Sequence, residues 1–114
     1  TELKPDDLSV RLSYINFTST SMTFTSSGIR GNGYVMAYPQ LVDDTWVFLY
    51  LERYDGGRWV NAQIWSELSG TYYALCEGTA AAPKGYLYRI RAVYYAWSGS
   101  QYEKVTGYSG SRYY

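Results

Sequence analysis

Thr45-Trp46-Val47-Phe48-Leu49-Tyr50-Leu51-Glu52-Arg53-Tyr54-Asp55-Gly56-Gly57-Arg58-Trp59 decides the fold class of this chain. Val47, Leu49 and Leu51 alternate with Trp46, Phe48, Tyr50 and Glu52. A period of two puts alternate side chains on opposite faces of a strand, so residues 45–54 are predicted to bury one set and expose the other. Asp55-Gly56-Gly57 then supplies residues that tolerate the positive φ of a tight hairpin, and a return strand is expected over 58–66.

The same pattern extends in both directions. Upstream, residues 1–7 are a polar lead. Leu8, Val10, Leu12 and Tyr14 alternate with Ser9, Arg11 and Ser13 and predict a strand over 8–17. Further strands are expected over 20–26 and 29–38, the second ending at Pro39, which cannot donate to a ladder. Downstream, strands are expected over 71–77, 86–97 and 101–108. Turns at Ser69-Gly70 and Ser98-Gly99-Ser100 and a loop over 80–85 separate them. No helical period of useful length occurs. The expected architecture is an all-β, antiparallel two-sheet sandwich of seven to eight strands. It would form a single domain over 8–108, with 109–114 as a fraying tail.

Composition excludes several function classes. The 114 residues carry ten acidic and ten basic side chains and no histidine. A balanced charge does not suit nucleic acid or a polybasic membrane contact, and no apolar run is long enough to insert into a membrane. The lack of histidine removes the commonest general base and metal ligand together. Cys76, the one cysteine, has no disulfide partner and is expected to be a buried, inert thiol. No metal or cofactor motif is present. The start at Thr1 suggests a mature chain from which a signal peptide has been removed, and hence an extracellular location.

Pro83 followed by Tyr86, Tyr88, Ile90 and Ala92 resembles the sixth strand of the fibronectin type III-like members of the immunoglobulin-like sandwiches. Residues 49–59 are similar to that family's third strand, hairpin and fourth strand. The resemblance covers about 20–108 and implies a tyrosine corner, placed at Tyr86, whose hydroxyl ties back to nearby backbone. The tryptophan usual in the second strand of the family is missing; Tyr38 is the nearest substitute. The Leu51-Glu52-Arg53-Tyr54, Gly57-Arg58-Trp59 and Gly85-Tyr86-Leu87-Tyr88-Arg89 segments also resemble short uncharacterised secreted proteins of Gram-positive bacteria.

Fifteen tyrosines and four tryptophans are the most distinctive feature of the chain. If 45–54, 86–97 and 101–108 are neighbours, as the resemblance implies, alternation collects many of them on the outer face of one sheet. Trp46, Tyr50, Tyr95, Trp97, Tyr102 and Tyr108 would form a ligand-binding face, with Arg89 and Arg91 as polar anchors. Ring faces give apolar contact at little rotamer loss, and Arg supplies directional donors. The expected function is a non-catalytic extracellular binding or adhesion module for a glycan or a protein. Two alternatives stand beside it: a structural spacer or weakly homodimerising domain, and a histidine-free glycan-active enzyme with paired carboxylates.

Overall fold

The computed structural model describes residues 2–3 and 14–114. Among them there is no helix. Nine strands follow in order: β1 (Glu2–Leu3), β2 (Ile15–Thr25), β3 (Gly28–Ala37), β4 (Asp44–Asp55), β5 (Arg58–Ser69), β6 (Tyr73–Ala80), β7 (Leu87–Ser98), β8 (Gln101–Tyr108) and β9 (Arg112–Tyr113). The larger sheet has the order β1-β8-β7-β4-β5, with β9 also pairing β7, and the smaller sheet has the order β2-β3-β6. All pairings are antiparallel except that of β1 with β8. The chain is an all-β sandwich, as the alternation predicts.

The core lies between the inner faces of the two sheets. Val47, Leu49 and Leu51 of β4 and Tyr88, Ile90, Ala92, Tyr94 and Ala96 of β7 are fully buried against Ile29, Val35, Ala37, Ala74 and Cys76 of the smaller sheet. Burial of this apolar area is the main term that holds the sheets together. The buried Tyr94 hydroxyl and Glu103 carboxylate are both paired. The Tyr94 hydroxyl donates to the Ser19 carbonyl at 2.8 Å and accepts from the Thr20 hydroxyl at 2.6 Å. The Glu103 carboxylate, fully buried on β8, accepts the backbone N–H of Ile15 at 2.8 Å and of Tyr14 at 3.2 Å. These bonds fix where β2 enters the sandwich.

Two sequence expectations are corrected along the chain. The chain does not break between 17 and 20: Ile15–Thr25 is one continuous strand paired to β3. Of the strand expected over 8–17, residues 8–13 lie outside the described residues. The C-terminus does not fray. The Ser109 hydroxyl accepts the Ile90 N–H, the Ser109 N–H donates to the Ile90 carbonyl, and β9 then continues along β7. Tyr114 packs on Phe24 with ring centroids 4.9 Å apart, and Arg112 donates to the Met22 carbonyl at 2.9 Å. The last residues therefore tie the larger sheet to the smaller one.

The hydroxyl tied back to nearby backbone is that of Tyr88, not Tyr86. Tyr86 precedes β7 and is exposed, whereas Tyr88 is fully buried and its hydroxyl donates to the Pro83 carbonyl at 2.6 Å. We expect Tyr88→Phe to lower stability by about 1 kcal/mol, because the buried bond is lost and its acceptor is left to find water. Tyr86→Phe should leave the denaturation midpoint unchanged. Equal midpoint shifts in the two variants would contradict this assignment.

Candidate functional site: an aromatic sheet face

The three strands expected to be neighbours are neighbours, in the order β8-β7-β4, with β5 beyond. Because Val47, Leu49 and Leu51 point into the core, Trp46, Phe48, Tyr50 and Glu52 point outward. The ladder then sets these against outward residues of β7 and β8. Trp46 is opposite Tyr95, Phe48 opposite Val93, Tyr50 opposite Arg91, and Glu52 opposite Arg89. Across the next ladder, Trp97 is opposite Tyr102, Tyr95 opposite Lys104, and Arg91 opposite Tyr108. Trp46, Tyr50, Arg89, Arg91, Tyr95, Trp97, Tyr102 and Tyr108 therefore share one face of one sheet. Tyr108 is exposed and the other seven are half-buried.

The face has two halves. At one end the rings pack on one another: Trp46 on Trp97 at 4.9 Å, Trp97 on Tyr102 at 4.5 Å, Trp46 on Tyr95 at 5.6 Å and Tyr95 on Phe48 at 5.9 Å. Interplanar angles run from 35° to 88°, so the rings form a ridged surface rather than a single plane. The Trp97 indole Nε1 is buried in this packing without a hydrogen-bond partner.

The other half is a charged ladder between rings. Glu52 accepts Arg89 Nε at 2.8 Å on one carboxylate oxygen and Arg91 Nε at 2.9 Å on the other. Arg91 lies over the Tyr50 ring at 4.0 Å, and Arg89 lies over Trp59 at 4.1 Å and Tyr108 at 4.7 Å. The two arginines cover Glu52, which is only 6% exposed although it sits on the outer face. A carboxylate between two cations and rings over both cations is a mutually satisfied set, which holds the guanidinium planes in place.

Four further residues belong to the face: Phe48, which alternation also turns outward, and Trp59, Ile64 and Leu68, which lie outside the set read from the sequence. Phe48 and Trp59 complete the two ring clusters. Ile64 and Leu68 of β5 stand opposite Tyr50 and Trp46 and are 51% and 60% exposed, extending the apolar surface to the sheet edge. Alternation through 58–69 is interrupted: Leu51 pairs with Gln63 and Glu52 with Asn61, which leaves Ala62 as an extra residue. The bulge exchanges the faces of the two halves of β5. A uniform period of two therefore cannot place Ile64 and Leu68.

Elsewhere the chemistry is sparse. Among the described residues there is no pocket and no cluster of three His, Cys, Asp or Glu side chains that could hold a metal ion. Burial, with smaller contributions from Glu67 and Glu77, pushes the Cys76 thiol up from its ordinary 9.0 to about 11. Burial also raises the Tyr94 and Tyr88 hydroxyls. These acids hold their protons longer in the folded chain than in the unfolded one. The stability they contribute is complete below about pH 9 and is lost as pH rises through their folded-state values. We expect the thermal midpoint to fall between pH 9 and pH 11, and Cys76 to resist thiol reagents at pH 8 until the chain unfolds. Rapid labelling of the native chain at pH 8 would contradict the assignment.

No family model, no curated protein and no solved structure matches this chain. The functional reading therefore rests on the face itself.

Proposed function

We propose that this domain is a non-catalytic binding or adhesion module whose ligand docks on the outer face of the larger sheet. One observation carries the reading. Apolar and aromatic side chains run without interruption across four strands, from Leu68 on β5 through Trp46 and Tyr95 to Tyr102 on β8, with Ile64, Leu68 and Tyr108 exposed and the rings between them half-buried. Soluble domains rarely expose a contiguous apolar surface of this kind without a use for it. Of the two ligand classes open in the sequence, the tilted, mutually packed rings favour a protein over a glycan. A sugar chain stacks on coplanar ring faces, whereas ridged aromatics flanked by arginine suit a protein hot spot. The setting we propose is extracellular, in a fibronectin type III-like sandwich. The fibronectin type III-like part of this reading is supported by the order β2-β3-β6 facing β8-β7-β4-β5, together with the Tyr88 hydroxyl bond on β7.

The rival reading is a structural spacer. It draws support from the same ring packing, since aromatic pairs stabilise a sheet by roughly 0.5–1.5 kcal/mol each beyond their burial. Screening the purified domain on a glycan array and against a displayed peptide library separates the readings. The proposal expects ligands from the library. Glycan ligands alone would move the ligand class to sugars, and no ligand from either would favour the spacer.

A further inference from the structure

Strand β5 pairs with β4 alone, so among the described residues the backbone groups along its other side meet no neighbouring strand. It is twelve residues long, and residues 61–64 at its middle are all exposed. An edge of that length is a template for another strand unless it is covered or charged against pairing. Its charges are the informative feature. Arg58 stands near one end and Glu67 near the other, both exposed, and neither makes an ion pair among the described residues.

We propose that two copies of this chain associate edge to edge through β5, antiparallel, about a twofold axis between Ala62 and Gln63. That register sets Arg58 of each copy opposite Glu67 of the other and forms two ion pairs. The bulge makes it geometrically consistent. In a regular strand, residues nine positions apart face opposite sides of the sheet and cannot meet across a twofold axis normal to it. Here the extra residue at Ala62 exchanges the faces between the two halves. Arg58 pairs with Asp55, and Glu67 pairs with the core-facing Val47, so both project on the inner side of the sheet. Asn61 and Ile64, both on the outer side, are also brought opposite one another. The charges are complementary in this orientation, whereas a parallel arrangement in register would set like charges against each other. The two aromatic faces would become one surface, with Ile64 and Leu68 of each copy near its centre.

This proposal does not depend on what the aromatic face binds, and its test keeps the two apart. Sedimentation velocity over a concentration series should show a reversible monomer–dimer equilibrium for the full chain. Arg58→Glu and Glu67→Arg should each raise the dimer dissociation constant by about tenfold, since each places two like-charge pairs at the interface. The combined variant R58E/E67R restores both pairs with reversed polarity and should return the constant close to that of the parent. Circular dichroism and thermal midpoints show whether each variant is folded. A chain that stays monomeric throughout the series would overturn the proposal. So would a dimer that ignores the single substitutions, or a combined variant that fails to recover. A dimer abolished by Trp97→Ala with Tyr50→Ala, but not by the charge changes, would place self-association on the aromatic face instead.

Discussion

Gly33→Val should destabilise the domain by about 3 kcal/mol or more, although valine is among the best strand formers and glycine among the worst. The two effects can be weighed. Strand propensity spans about 1 kcal/mol and favours the substitution. Packing opposes it more strongly. Gly33 lies at the centre of β3 with its α-carbon against the other sheet. A Cβ built there sits 2.6 Å from the Leu49 Cδ2 and 3.1 Å from both the Tyr94 hydroxyl and Val47 Cγ1. Leu49, Val47 and Tyr94 are fully buried and have nowhere to retreat. Moving the Tyr94 ring would also break its bonds to Ser19 and Thr20. Overpacking of this kind typically costs about 1–3 kcal/mol before any lost hydrogen bond is counted. In a domain of this size, 3 kcal/mol corresponds to a fall of roughly 12 °C in the thermal midpoint. A midpoint unchanged or raised in the variant would show that the sheets are not packed this closely.

The second large effect is on binding. Trp97→Ala combined with Tyr50→Ala removes one ring from each half of the face. Trp97 packs on Trp46 and Tyr102, and Tyr50 lies under the Arg91 guanidinium. Buried aromatic anchors at protein interfaces commonly contribute about 2 kcal/mol or more each, so the pair, if the effects add, should weaken binding of any ligand selected on the parent domain by roughly a thousandfold. Both rings lie on the solvent side of β7 and β4, away from the core, and the variant should remain folded with a modestly lower midpoint. Parent-like affinity in a folded variant would remove the proposed face even though its rings lie on the solvent side of the sheet.

Much of this was legible in the sequence because β4 and β7 are regular. Their inward residues are apolar without exception from Val47 to Leu51 and from Tyr88 to Ala96, so the outward set follows from parity alone. Where parity does not discriminate, the sequence does not decide. Tyr86 and Tyr88 have the same parity, and only the start of the ladder at Leu87 separates an exposed ring from the buried one. Ile64 and Leu68 were hidden by the bulge at Ala62. Glu103 shares the parity of the inward Val105, but its partners, the N–H groups of Tyr14 and Ile15, are nearly ninety residues away, and no local signal connects them. The C-terminal clamp is similar. Arg112–Tyr113 is too short to show alternation, and its placement depends on a β7 segment that β8 leaves unpaired.

The central claim, that the outer face of β8-β7-β4-β5 is the binding surface, is tested most directly by the four tryptophan indole N–H resonances of isotopically labelled domain during titration with a selected ligand. Trp46 and Trp97 lie in the ring cluster, Trp59 lies beside Arg89, and Trp65 projects on the inner side of β5 opposite the core-facing Leu49. The account predicts that Trp46, Trp97 and Trp59 shift together along one binding isotherm while Trp65 stays in place. A saturable shift of Trp65 alone, or binding that moves none of the other three, would contradict it.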